Sequence, residues 1–356
     1  MALFSPAPDK QSYLGVDIGF GGIKLVELRN EKGRTRLVTY AYANVPAESL
    51  EKSLLTDTAT GADLLKNMCA KAKTVSRRAI SALPISSVFS TILSIPTTDE
   101  KELKEAVPVQ AKKLMPWPLE EASLDIKVVE KTEKTETAKA ATRVLVTAAP
   151  KTLVAKYLEI FKGAGLELVS LETEAFAEIR SLIGKDKSTI MLVDMGSLRT
   201  NIFIVEQGIP FVTRSIATGG NAITQTIAKT LGVPVEQAES MKRDIKSMQS
   251  FAPAGDLTPI LNVLLKPILE EIRYCLNQYQ TQESGPNGKR VEKIIITGGS
   301  SLLPRLPEFL TQQTNINTYL GNPWARVVYP PDLRPVIEEL GPRFAVCIGC
   351  AMRDIV

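Results

Sequence analysis

Short apolar runs of strand length recur along the chain, and two of them match each other. Residues 14–28 read LGVDIGFGGIKLVEL and residues 191–206 read MLVDMGSLRTNIFIVE. Each begins with an apolar strand, continues through Asp, an apolar residue and Gly, makes a short polar or glycine-rich turn, and ends in a second apolar strand. Apolar runs bounded by turn residues suit buried strands, so each segment predicts a β-hairpin. Asp17 and Asp194 stand about half the chain apart. Self-similarity at that spacing marks a duplicated unit, each copy opening with a hairpin.

A separate module lies between the hairpins. A helical stretch at Gly61 to Ala72 and a strand at Arg78 to Leu83 come first, and Pro84 then marks a boundary. SVFSTILSIP predicts a strand and TDEKELKEAVPVQAKKLM a helix, which Pro108 should kink or shorten. LDIKVVEK and TRVLVTAA alternate as two strands joined by the charged KTEKTETAKAA. APKTLVAKYLEIFKGAG predicts a helix closed by glycine. The order is βαββα, an insertion at 85–165.

The remaining pattern completes the second half. TRSIATGGNAITQTIAKTLGVPVEQAESMKR predicts a Gly-rich turn, a helix, and a second helix after Pro234. A long helix follows around Leu261 to Gln280. VEKIIITGGSSLLPRLPEFL predicts strand, Gly-Gly turn and helix, and a last helix lies around Phe344 to Met352.

Composition narrows the chemistry. A chain of 356 residues exceeds one ordinary core and suits two domains. The net charge of +4 makes no case for nucleic acid. The basic clusters at Lys66 to Arg78 and Lys112 to Lys113 read as solvated helix faces. No apolar run reaches bilayer length, and MALFSPAPDKQS has no signal-peptide core. Four cysteines without an export signal suit a reducing cytoplasm. The absence of histidine removes every nucleophile mechanism that relies on a histidine base, and disfavours zinc. Cys347 and Cys350 form a C-x-x-C inside AVCIGCAMR, which reads as a buried helix rather than a redox pair.

Three glycine turns each follow an apolar strand: Asp17-Ile18-Gly19-Phe20-Gly21-Gly22, Asp194-Met195-Gly196-Ser197 and Thr297-Gly298-Gly299-Ser300. Successive backbone N–H groups in such turns suit a phosphate. The aspartates would repel phosphate, but both suit Mg²⁺ bound through water. No G-K-[ST] occurs, and each hairpin turn leads into a strand and not a helix, so neither the P-loop nor the dinucleotide fingerprint fits.

The order of phosphate hairpin, second phosphate hairpin and adenosine turn resembles the actin-like ATPase superfamily. Within it, VDIGFGGIKLVEL, ISALPISSVFSTILSIP, KLMPWPLEEASLDIKVVE, RSIATGGNAITQTIAKTLGV with QAESMK, and IIITGGSSLLPRLPEFL resemble the PilM family of type IV pilus machines, a relative of FtsA. Pro116 to Glu121 and the place of the insertion are the most discriminating features. The first turn departs from that family's serine-rich form, leaving more to backbone amides and Lys24. Lys24 reads equally well as a solvent-facing strand lysine.

The resemblance implies an actin-like, ribonuclease H-like duplicated α/β fold around a nucleotide cleft. The first core would be 12–84 and 166–187, closed by a C-terminal helix at 343–356. The second half would be 188–342, with a helical subdomain at about 216–290. The implied cofactors are ATP and Mg²⁺, with Asp17 and Asp194 at the metal. The implied nucleotide contacts are Gly19, Gly21, Gly22, Lys24, Gly196, Ser197, Thr200, Gly219, Gly220, Asn221, Glu239, Lys242, Gly298, Gly299 and Ser300. Glu239 and Lys242 also read as a surface i, i+3 ion pair. Glu172 is the better aligned candidate for a water-positioning acid, although it and Glu174 also suit an ordinary acidic helix start.

The implied function is an ATP-binding, nucleotide-gated scaffold with weak or no ATPase activity. It would be cytoplasmic and peripheral to the inner membrane through a partner, gripping the N-terminal tail of a PilN-like protein. Pilus motor ATPases and a second copy of the chain are further implied partners. The alternative is an FtsA- or MreB-like filament-forming ATPase. The chain shows no FtsA-type amphipathic membrane helix after Met352.

Overall fold

The computed structural model describes residues 12–45, 54–132, 140–244, 249, 256–282 and 289–355. The linker at 131–141 lies largely outside them.

The first half is a six-stranded sheet. β1 (Ser12–Gly19), β2 (Gly22–Glu31) and β3 (Arg34–Asn44) form an antiparallel meander, with Asp17 opposite Lys24. α1 (Thr58–Ala72), capped by the Asp57 side chain, leads to β4 (Arg78–Leu83), which runs parallel to β1. β8 (Glu167–Thr173) lies beyond β4. Near-continuous burial along β1 explains its apolar run, since both faces of the sheet are covered.

The insertion is a three-stranded sheet in the order β5 (Phe89–Ile95), β7 (Ala141–Pro150), β6 (Ala122–Thr132), covered by α2 (Glu100–Lys112). Pro108 does not end α2. The helix continues because Leu103, Val107 and Ala111 are buried against Val144 and Val146. α3 (Lys151–Gly163) differs from expectation. Its Tyr157, Ile160 and Phe161 pack with Leu14, Leu65 and Met68 in the first-half core, so the insertion is a βαββ module ending at Pro150.

α4 (Glu174–Glu178) runs on through a π-helical turn to Ile183 and leads to the second half. There β9 (Ile190–Met195), β10 (Thr200–Glu206) and β11 (Ile209–Ile216) repeat the meander. α5 (Gly220–Leu231), α6 (Val235–Met241) and α7 (Thr258–Gln282) follow. β12 (Lys293–Thr297) joins β9 in parallel, and α8 (Leu306–Thr314) leads to β13 (Thr318–Leu320) at the edge.

The chain returns to the first half about twenty residues before the expected boundary at 342. β14 (Val327–Val328) pairs with β3, and Trp324, Val327 and Ile337 share a core with Val26 and Leu28. α9 (Arg334–Leu340) and α10 (Ala345–Met352) complete it. α10 is buried at every position, which accounts for its unbroken small and apolar composition. Its Cys347 and Cys350 are free, and burial pushes both thiols well above their usual range. No helix among the described residues is long and apolar enough to cross a membrane.

Candidate functional site

The strand–Asp–turn segments bring their tips together. A Cβ built on Gly21 would stand 3.1 Å from Ser197 Oγ, so the first turn faces the second directly. Gly22 has φ +128°, and a Cβ there would run into the Ala43 carbonyl. Gly298 has φ +83°, and a Cβ there would strike Asp194 Oδ1 and the Met195 backbone. Only glycine fits these two positions, and both hold backbone close to the cleft. Gly19 lies near the Lys24 ammonium, 3.6 Å from where its own Cβ would be.

Lys24 is not a solvent-facing strand lysine. Its Nζ donates to Asp17 Oδ2 at 2.7 Å. Burial opposes its charge, but the Asp17 carboxylate outweighs that and leaves the lysine pKa raised. Asp194 is pushed up to about 6, first by burial and then by the nearby Asp17. Asn201 Nδ2 donates to Asp194 Oδ2 (3.4 Å) and to Glu174 Oε2 (3.1 Å). Glu174 Oε2 also accepts from the Ile85 backbone N–H at 3.0 Å.

Glu178 adds a fourth carboxyl. It is fully buried and accepts no hydrogen bond from any N–H or hydroxyl donor among the described residues. Burial, then Asp194 and Glu174, push its pKa well up. Glu174 and Glu178 are one helical turn apart, the i, i+4 spacing that puts both on one face. That spacing was the available sequence signal for this pair.

Glu172 goes elsewhere. It accepts two bonds from Arg180, at 2.6 and 2.7 Å, and Arg180 also donates to the Gly349 carbonyl. Its carboxylate is engaged in tying β8 to α10. Of the two glutamates at this turn, Glu174 is the one beside Asp194 and Asp17. The structure thus pairs Glu172 with Arg180 and sets Glu174 beside the aspartates.

Several other expected nucleotide contacts are already engaged. Gly220 N–H and Asn221 N–H donate to the carbonyls of Gly196 and Ser197, both at 2.8 Å. Gly219 leaves no room for a Cβ against Leu198 and Arg199, so α5 is seated on the second turn. Thr200 is fully buried and its hydroxyl donates to the Thr218 carbonyl. Ser300 Oγ donates to Gly196 O at 3.3 Å, which joins the third turn to the second. Lys242 is buried rather than on the surface. It donates to Glu239 (2.6 Å), Thr224 (2.8 Å) and the Gly220 carbonyl (3.2 Å). A Cβ built on Gly220 would meet both Ser300 Oγ and Lys242 Nζ, so Lys242 lies close to the third turn.

The donor set fits a hydrated divalent cation. Buried carboxylates crowd around one lysine, yet among the described residues no three of them converge as direct ligands. Mg²⁺ retains much of its water and tolerates that arrangement. Asp17 and Asp194 would hold it, and it would supply the charge that neutralises phosphate.

The crowding has a measurable consequence. Burial, then Asp194 and Asp17, push Glu174 up to about 8 from an ordinary 4.5. Between those values the folded state holds a proton that the unfolded state lacks. Stability from this group is therefore full below about 4.5 and lost as pH rises through about 8. Without metal or nucleotide, the melting temperature should fall between pH 6 and pH 9, and Glu174→Gln should shrink that fall. An unchanged fall in the variant would mean that Glu174 is not its source.

Two duplicated halves whose glycine turns face each other across paired aspartates are the actin-like ATPase fold. MreB 5 of Spiroplasma citri bound to AMPPNP shares that fold, with a TM-score of 0.52 at 14% identity over 96% of this chain and 95% of its own. FtsA of Agrobacterium fabrum is 26% identical over 180 residues, 44% of this chain and only 38% of that relative's length. Within this class, residues 15–355 match the model of the type IV pilus assembly protein PilM, and the chain belongs to that family. A solved PilM–PilN type IV pilus biogenesis complex is 27% identical, covers 97% of this chain and 98% of its own, and superposes with a TM-score of 0.80.

Proposed function

We propose that this protein is an ATP-binding scaffold of the type IV pilus assembly platform. Nucleotide in the cleft would set its grip on the N-terminal peptide of a PilN-like membrane protein. The observation that carries the reading is the meeting of the two Asp-turn hairpins, Gly21 against Ser197, over the Asp17–Asp194 carboxylates. Likeness to the PilM–PilN complex over nearly the whole chain supports the partner.

A route from nucleotide to peptide is available. Lys127 of the insertion lies 4.6 Å above the Phe176 ring of α4, beside Glu174. Arg143 of the insertion lies 5.0 Å above the Phe211 ring of β11 in the second half. The insertion thus touches both halves, and closing the cleft would shift it. A cavity of about 320 Å³ lined by Trp117, Glu120, Glu121, Pro150, Lys151 and Thr152 lies where β7 of the insertion passes into α3 of the core. That seam suits an extended peptide.

The test is calorimetric titration of the N-terminal peptide from the PilN-like protein of the same genome, with and without Mg-ATP. Binding is expected in the micromolar range or tighter, and Mg-ATP should change it. Trp117→Ala and Lys151→Glu should weaken it by about tenfold or more, a loss of roughly 1.4 kcal/mol. Tyr274→Ala, on α7 of the second half, should not. Equal losses at all three positions would place the peptide elsewhere, and an affinity indifferent to Mg-ATP would refute the gating.

A further inference from the structure

We propose that Asn201 is a positioning residue of the Mg²⁺ site, held in a single orientation by Ser215, a role that rests on the ATP-binding reading above. Asp194, Asn201 and Ser215 stand side by side on three neighbouring strands. Asn201 of β10 is opposite Asp194 of β9 on one side and opposite Ser215 of β11 on the other. Directly opposed residues of an antiparallel ladder project from the same face of the sheet. Glu174 of α4, from the first half, meets the row on that face through Asn201. Asn201 is only 7% exposed, so its amide must find its partners within the protein.

The direction of each hydrogen bond in the row is fixed. A guanidinium can only donate. Arg199 Nε donates to Ser215 Oγ at 2.9 Å, and a second nitrogen of the same arginine donates to the Ser215 carbonyl at 3.2 Å. With its oxygen accepting from Arg199, the Ser215 hydroxyl donates to Asn201 Oδ1 at 2.7 Å. Oδ1 is thereby the accepting end of the amide. Nδ2 is left to donate to Glu174 Oε2 at 3.1 Å and to Asp194 Oδ2 at 3.4 Å. The reversed amide would set its oxygen against two carboxyl groups. Arg199 is itself anchored in the second turn, where its carbonyl accepts from Gly196 N–H at 2.9 Å.

An amide suits this place because it donates without carrying charge. An ammonium or guanidinium between Asp194 and Glu174 would cancel the field that attracts Mg²⁺ and would compete with the ion. Asn201 gives both carboxyl groups a donor and leaves the negative charge of Asp194 for the metal. It also sets the pose of Asp194. Oδ2 is held by the amide, and Oδ1 lies against the bare Gly298, where a Cβ would strike it. Hydrogen bonds to the carboxylates around a metal orient them and tune its affinity.

The test measures ATP affinity with Mg²⁺ and with EDTA for the wild type, Asn201→Leu, Ser215→Ala and Ser215→Thr. The ratio of the two affinities is the advantage conferred by the metal. Asn201→Leu should cut that advantage by about tenfold or more and change metal-free binding by less than about twofold. Ser215→Ala, which leaves Oδ1 without its donor, should cut it by about threefold. Ser215→Thr keeps the hydroxyl and should match the wild type. An undiminished advantage in Asn201→Leu would overturn the proposal, and so would equal losses with and without metal, which mark a merely structural residue. Should Asn201→Leu fail to fold, the serine pair decides: equal behaviour of Ser215→Ala and Ser215→Thr would show that the hydroxyl holds nothing in place. A wild type that binds no nucleotide would refute the ATP-binding reading itself. A wild type that binds ATP equally well with and without Mg²⁺ would leave that reading standing and refute the role of Asn201.

Discussion

Asp17→Asn should weaken Mg-ATP binding by on the order of 10- to 100-fold, the usual cost of losing a group that orients a metal's surroundings. Binding of metal-free ATP should change far less, and toward tighter binding. The carboxylate faces Asp194 across the cleft and holds Lys24 at 2.7 Å. Removing its charge takes away a partner of hydrated Mg²⁺, but it also removes a repulsion toward phosphate and frees the Lys24 ammonium. The two effects oppose each other only when metal is present; without it the second acts alone. Titrations with Mg²⁺ and with EDTA separate them. Equal losses under both conditions would make Asp17 a structural hairpin residue with no part in the metal site.

Gly15→Val should unfold the first half. A Cβ at Gly15 would overlap the Cys347 carbonyl oxygen and crowd Ala351 N, and one at Gly349 would overlap the Ala177 carbonyl. α10 is thus held between β1 and α4 with its backbone in contact on both sides. Cys347, Ile348, Ala351 and Met352 fill one core with Val26, Leu28 and Trp324. The collision is with backbone, so no rotamer can relieve it. The cost should exceed about 4 kcal/mol, against a total stability of roughly 5–15 kcal/mol for a domain. Insolubility, or a fall of more than about 10 °C in melting temperature, is expected. Gly341→Ala is the control, because its Cβ would stand 3.6 Å from Trp324 in ordinary contact. A Gly15→Val protein that melts within a few degrees of the wild type would show that α10 does not seat on β1.

The fate of the insertion shows where local pattern stops being informative. Strands β5, β6 and β7 and helix α2 follow from alternation and length in the segment itself. The helix at 151–163 was equally legible as a helix, but not its allegiance. Its apolar stripe of Tyr157, Ile160 and Phe161 would suit any covered sheet, and only the three-dimensional path places it on Leu14 and Leu65 instead of on Val144. The early return of the chain has the same origin. β14 is two residues long, too short to carry a pattern, and exists because β3 offers it an edge.

For the candidate site, the sequence alone determined the two Asp-turn hairpins, the third glycine turn and the αβ order around them, because hairpins and turns are set by residues adjacent in the chain. Tertiary structure alone decided which groups meet. Glu172 and Glu174 are two residues apart and chemically alike, yet Arg180 claims the first and the cleft takes the second. Asn201 and Glu178 gained their places from the packing of β10 and α4 around Asp194. Arg343, just before α10, comes against Gly299 of the third turn only because the chain returns to the first half. The reason is physical: backbone geometry and hydrophobic period act over a few residues, whereas burial, charge pairing and the room left by a glycine depend on neighbours brought from anywhere in the chain.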